Sequence, residues 1–270
     1  MVNPKKIVEQ SNLIPELEKM KTEMITLDYP TSGFLTPKTS KLGGIGYLPK
    51  SEPYPTNPQG QPLSLLAQIN FDELPYIENY PTTGILSFYI DCFDDILGLN
   101  FNLEKKTEQS HFRVLYFENT DEPYHNTTDI EALFKPYNSD DMEIVIEEEV
   151  KMTGSLATDP FPFETIDFKR YFNSDFFEYM NVKFGDQAED VMSYLFDYLS
   201  PGGTHIGGYP FFTQEDPRTI ESPYTKLLFQ LDSDLGYASL GDNGVAQFMI
   251  SEDDLKQKNF SNVLYNWDCY

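Results

Sequence analysis

Leu65-Leu66-Ala67-Gln68-Ile69-Asn70 returns later in the chain as Leu227-Leu228-Phe229-Gln230-Leu231-Asp232. Each copy is an apolar run of strand length with one glutamine inside it. A glutamine buried among leucines must find hydrogen-bond partners, so its position is specified rather than tolerated. Two neighbouring blocks repeat in the same order. Leu42-Gly43-Gly44 recurs as Ile206-Gly207-Gly208, and Gly84-Ile85-Leu86-Ser87-Phe88-Tyr89-Ile90 recurs as Gly244-Val245-Ala246-Gln247-Phe248-Met249-Ile250. From Gly44 to Gly208, Gln68 to Gln230 and Gly84 to Gly244 the offsets are 164, 162 and 160. Three blocks in one order with so small a drift predict an internal duplication, with copies at about 42–91 and 206–251. The glycine pairs supply positive φ or close backbone approach, and the other two blocks are strands.

Outward from these copies, 111–118 and 142–152 read as further strands, and 129–134 as a short helix. Residues 164–199 read as helical, best from 186, where Ala188, Val191, Met192, Leu195 and Leu199 fall on one face. Pro201-Gly202-Gly203 ends that stretch. At the start of the chain, Ile7, Leu13, Leu17, Met20 and Met24 approximate a stripe, predicting an N-terminal helix over 3–26, in which Pro15 can serve as the first helical residue after a break near Ser11-Asn12. The fold expected is α+β: one β-rich unit spanning 1–270, built on a duplicated antiparallel or mixed-sheet motif with flanking helices.

Several stretches resemble the YwqG-like family, bacterial proteins of unknown function. They are Lys41-Leu42-Gly43-Gly44, Gly60-Gln61-Pro62-Leu63-Ser64-Leu65-Leu66-Ala67-Gln68-Ile69 and Glu73-Leu74-Pro75, then Ile206-Gly207-Gly208-Tyr209-Pro210 with Gln214. Leu228-Phe229-Gln230-Leu231, Gly241-Asp242-Asn243-Gly244 and Trp267-Asp268-Cys269 complete the set. The chain departs from the family pattern at Gly46, where proline is usual, and at Leu240, where tryptophan is usual. The resemblance implies an α+β fold and a cytoplasmic bacterial protein, and it brings no catalytic residues.

Composition narrows the function. The net charge is −25, from 44 acidic and 19 basic residues. Such a surface repels nucleic acid and anionic membranes, whose recognition depends on Lys and Arg. It suits solubility, or an acidic face offered to a basic partner. No apolar run approaches the roughly 20 residues of a membrane span, and Met1-Val2-Asn3-Pro4-Lys5-Lys6 leads into no apolar segment. With only Cys92 and Cys269, a disulfide framework is not expected, which points to the cytoplasm.

No cofactor motif is present. Gly43-Gly44-Ile45-Gly46 is followed by Tyr47-Leu48-Pro49 rather than a helix, so it reads as a turn and not a phosphate loop. His111, His125 and His205 are far apart and lack zinc spacing. Asp232, Asp234 and Asp242 do not follow a calcium-loop pattern, so no metal is expected. Where a ligand site exists, the expected segment is 204–218, which carries His205, Gln214, Asp216 and Arg218 in the second copy only. Arg218 there either pairs with Asp216 or receives an anion. Two functions stay open. One is a non-catalytic binding protein, in its specific form an immunity-like neutraliser of a basic toxin. The other is a small-molecule enzyme whose cleft is formed by the second copy.

Overall fold

The computed structural model describes residues 3–159, 162, 164–199, 202–233 and 236–270. Two antiparallel sheets carry the repeated blocks. In the first copy β2 (Lys41–Leu42), β3 (Ser64–Asn70), β4 (Ile85–Ile90) and β5 (Phe112–Phe117) pair in sequence order. In the second, β8 (His205–Gly207), β9 (Lys226–Asp232), β10 (Val245–Ile250) and β11 (Val263–Asp268) do the same. β6 (Val150–Lys151) extends the first meander beyond β2. β1 (Thr22–Asp28) and β7 (Thr153–Asp159) extend the second beyond β8.

The two meanders match residue by residue at their centres. The β3–β4 ladder skips Leu66 between its Leu65–Tyr89 and Ala67–Phe88 pairs, and the β9–β10 ladder skips Leu228 between Phe229–Phe248 and Leu227–Met249. The skipped leucine thus occupies the same block position in each, and such a bulge re-aims every side chain beyond it. Both glutamines are fully buried. Gln68 accepts from the Tyr47 amide at 2.6 Å and donates to the Thr39 carbonyl at 2.9 Å. Gln230 accepts from the Phe211 amide at 2.8 Å and donates to the Gly203 carbonyl at 2.9 Å. Each amide side chain therefore ties its strand to the chain on both sides of its own glycine turn. At Gly43 and Gly44 φ is 61° and 67°, and at Gly207 and Gly208 it is 70° and 71°, a conformation that suits glycine. Gln68→Leu or Gln230→Leu should cost about 1–3 kcal/mol, because the turn's amide and carbonyl lose their partner in a dry interior. Urea or thermal melts would read this loss.

The sheets face each other across an aromatic core. Phe88 of β4 stacks on Phe229 of β9 at 4.9 Å between centroids, and packs against Phe248 of β10 at 4.7 Å. Phe112 and Tyr265 close the same cluster from β5 and β11. Alternate residues point away: Leu65 and Tyr89 on one outer face, Leu227, Met249 and Leu264 on the other.

The N-terminal helical region has the expected break near Ser11-Asn12 but ends before residue 22, short of the expected 26. α1 (Pro4–Gln10) is capped by Asn3, and Asn12 in the left-handed region separates it from α2 (Leu13–Leu17). Residues 22–28 are β1, not helix. Met20 and Met24 fit a helical stripe, but Ile25 and Leu27 alternate inward, and β1 pairs on both edges with β7 and β8. Sheet pairing on two sides outweighs the weak helical periodicity. α4 (Ile166–Phe172), α5 (Phe176–Phe184) and α6 (Ala188–Leu199) follow β7, and pack with α1 and α2 on a second core that includes Val8, Leu17, Phe168, Met180 and Leu195. The proline at 201 lies outside the described residues. Among the described residues no helix is long and apolar enough to cross a membrane.

Residues 142–149 are not the expected strand; pairing begins only at β6 and β7. The Glu143 amide donates to the Cys92 carbonyl, and the Val145 carbonyl accepts from the Ser239 amide. The segment thus bridges from the end of one sheet to the other instead of joining a ladder, with Val145 turned into the shared core.

Candidate functional site

The four residues expected in a site occupy different settings. His205 is buried in β8 opposite Gln230. The Gln230 amide nitrogen, oriented by the Phe211 and Gly203 bonds, donates to His205 Nε2 at 3.1 Å. That leaves Nδ1 as the protonated nitrogen, donating to the Gly207 carbonyl at 2.9 Å. In the first copy Lys41 holds the same position opposite Gln68. Lys41 is 1% exposed and donates to the Ile45 carbonyl at 2.5 Å and to Glu149 at 2.8 Å. Both side chains therefore close their glycine turns.

Arg218 is 5% exposed. Its Nε and Nη2 grip Asp216 at 2.9 and 2.7 Å, Nη2 also reaches Asp167 at 2.7 Å, and Nη1 donates to the Tyr224 carbonyl. Burial opposes the charge, but the two carboxylates outweigh it and hold the guanidinium above its ordinary range. Asp216 in turn accepts from the Ile166 amide, capping α4 from outside. Arg218 and Asp216 thus fasten the helical layer to the second meander, and the fork that could receive an anion is occupied by protein carboxylates. Gln214 is exposed and lines a cavity of about 390 Å³ with Phe211, Phe212, Glu164 and Tyr270. None of His205, Asp216 and Arg218 lines that cavity. Burial raises the Glu164 carboxyl above its usual range.

The two glycine turns each floor a cavity, and the linings differ. The one at the second copy, about 420 Å³, is polar: Lys21, Glu23, Glu78 and Lys226 surround Gly207, Gly208 and Tyr209. The one at the first copy, about 360 Å³, is apolar. Gly43, Gly44, Leu65 and Leu66 form its floor, and Ile90, Cys92 and Tyr54 one wall. The opposite side comes from α3 (Thr127–Phe134), through Ile130 and Phe134, and from the bridging segment through Met142 and Ile144. The volume falls in the range of small-ligand pockets, ~300–1,000 Å³. Its charged rim is acidic: among the described residues Glu131 and Glu143 line it, and no Lys or Arg does. Cys92 does not make it a nucleophilic site, because burial raises the thiol, and a protonated thiol attacks poorly. The sequence reading passed over this cavity. Its one signal was the mixed Met142-Glu143-Ile144-Val145-Ile146-Glu147 stretch, where apolar and acidic residues share a segment too irregular for a ladder.

A polar chain crosses the outer face of the second sheet. Lys106 Nζ donates to Asn266 at 2.5 Å, Asn266 to Gln247 at 2.9 Å, and Gln247 to the Phe211 carbonyl at 2.7 Å. Desolvation pulls Lys106 down to about 8, against a smaller opposing pull from Asp268. Between about pH 8 and 10.5 the folded Lys106 has released its proton while the unfolded one keeps it. The unfolded state then binds more protons, so the Lys106 contribution to stability should rise with pH across that window. The stability difference between wild type and Lys106→Met, measured by urea unfolding on both sides of pH 8, checks the sign.

Among the described residues no group of three or more His, Cys, Asp and Glu could hold a metal ion. Asp232 accepts from the Gly203 amide, Asp242 lies on an exposed turn, and the residue at 234 is outside the described set. These features define a two-sheet α+β protein with paired glycine-turn cavities. A family profile described as a domain of unknown function (DUF1963) matches residues 40–269, and the chain belongs to that family. Comparison with curated proteins finds no match. The profile begins at β2, so α1, α2 and β1 lie outside it, although β1 sits inside the second sheet.

Proposed function

We propose that the protein is a non-catalytic binding protein whose partner is a basic protein. The observation that supports this is the use made of its cations. The chain has three arginines against a net charge of −25, and all three are bonded internally: Arg113 to the Gln109 carbonyl, Arg170 to Asp167 and loop carbonyls, Arg218 to two carboxylates. Lys41 and Lys106 are buried as well. These cations hold the fold together, the lysines left at the surface are outnumbered by the carboxylates that face outward, and that surplus steers a cationic partner inward. Membership of the YwqG-like group of bacterial proteins, a cytoplasmic location and an immunity-like role against a basic toxin are the narrower forms of this reading. Two unpaired cysteines are in keeping with a reducing compartment. The correspondence of Gln68 with Gln230 and of Leu66 with Leu228 supports descent of both meanders from one duplicated unit. Carbodiimide cross-linking in a lysate of the source organism, which joins carboxylates to lysine amines, tests the function. A basic protein joined to one acidic face is the expected product. Recovery of acidic proteins alone, or a bound metabolite turned over in the second-copy cavity, would overturn it.

A further inference from the structure

Resting on that reading, we propose that the cavity above Gly43 and Gly44 is the anchor site of the partner, receiving one apolar side chain from a lysine- or arginine-rich segment. Three observations converge on this occupant. The cavity has an apolar floor and walls, so the inserted group is apolar. Its ionisable rim is Glu131 and Glu143, with Asp140, Asp141, Glu147 and Glu148 exposed along the adjoining chain, so the groups flanking the inserted one are cationic. A fatty acid or other anionic amphiphile would bring its carboxylate against these residues and be repelled. Ile144, which lines the cavity, is 53% exposed and offers apolar contact beyond the cavity itself. An occupant carried on a larger body uses that surface; a small free ligand does not. A filled, desolvated apolar pocket inside a polar rim is an arrangement that interface hot spots take.

The equivalent position in the second copy differs in its lining. Ile77 lies over Gly207 as Ile146 lies over Gly43, but Lys21 and Lys226 stand beside Glu23 and Glu78, so that cavity is neither apolar nor of one charge sign. Shared glycines and leucines build both turns. The linings come from unrelated segments, and in the first copy from α3 and the 142–146 bridge.

The test uses the full chain, methyl-labelled at Ile, Leu and Met, and three short peptides: lysine-rich with a central Leu, the same with a central Ala, and a glutamate-rich one with the Leu. The lysine–Leu peptide should shift the methyls of Leu65, Ile90, Met142 and Ile144 saturably. The Ala peptide should bind at least about ten-fold more weakly, as loss of one buried Leu side chain requires. Cys92→Phe, which fills the cavity from its wall, should abolish those shifts. Should that variant not fold, Ile144→Lys at the exposed mouth serves, and should weaken the lysine–Leu peptide by about ten-fold. Equal binding of the Leu and Ala peptides, absence of shifts at the cavity methyls, or shifts mapping only elsewhere would overturn the site and leave a basic partner in place. Binding of the glutamate-rich peptide as tight as that of the lysine-rich one would overturn the basic-partner reading too.

Discussion

Arg218→Ala is expected to destabilise the protein by about 3–5 kcal/mol, one of the two largest effects of any single change considered. The arginine is enclosed by Asp216, Asp167, the Tyr224 carbonyl and the face of Phe212. Removing it leaves two carboxylates close together in a site with little water. Neither can be re-solvated without opening the contact between α4 and the 216–222 loop, which Arg170 also bridges through the Thr219 and Ser222 carbonyls. Much of the cost therefore comes from the abandoned acids, and not from the pair itself. Pairing Arg218→Met with Asp216→Asn and Asp167→Asn should recover a large part of it. Denaturant unfolding of the single and triple variants measures both numbers. A single variant within about 1 kcal/mol of wild type would mean that the network is not enclosed as described.

The other large effect is expected at Phe88. Its ring contacts Phe229 and Phe248 across the space between the sheets, and it is fully buried. Phe88→Ala removes a ring from the centre of that stack, and the sheets cannot collapse to fill it because each is held by its own ladder. The loss should be about 3–5 kcal/mol, combining the transfer of the ring with the cavity left behind. Phe88→Leu should lose less, since it leaves a smaller void. Because both sheets contribute to the stack, the unfolding transition should stay single for each variant. Two separate transitions would show that the meanders do not share one core.

What could be read from the sequence follows the range of the interactions involved. Gln68 and Gln230 were legible because a polar residue inside an apolar strand carries a demand for partners, and because the demand occurs twice in the same context. The pairing of Arg218 with Asp216 was visible as one of two readings, since the residues are two apart. Its second acid, Asp167, is fifty-one positions away, and nothing local announces it. β1 was misread because the helical stripe runs on through Met24, inside the seven residues of the strand, and only the partners β7 and β8 decide between the two. The first-copy cavity was hidden for the same reason. Its floor is in the repeat, but its far side is α3 and a segment that bonds to Cys92 at one end and to Ser239 at the other. Asymmetry between the copies pointed to 204–218, whose titratable residues the fold spends largely on its own closure.

The most direct measurement of the central claim is the salt dependence of binding to the cross-linked basic partner. Wild type is compared with a variant carrying Glu131→Gln, Glu143→Gln, Glu147→Gln and Glu148→Gln. All four residues are exposed, so the variant should melt as wild type does. Wild-type affinity should fall steeply as salt rises, and the variant should bind at least about ten-fold more weakly at low salt, with a flatter dependence. Affinity unchanged by the four substitutions and indifferent to salt would contradict an acidic face as the basis of recognition.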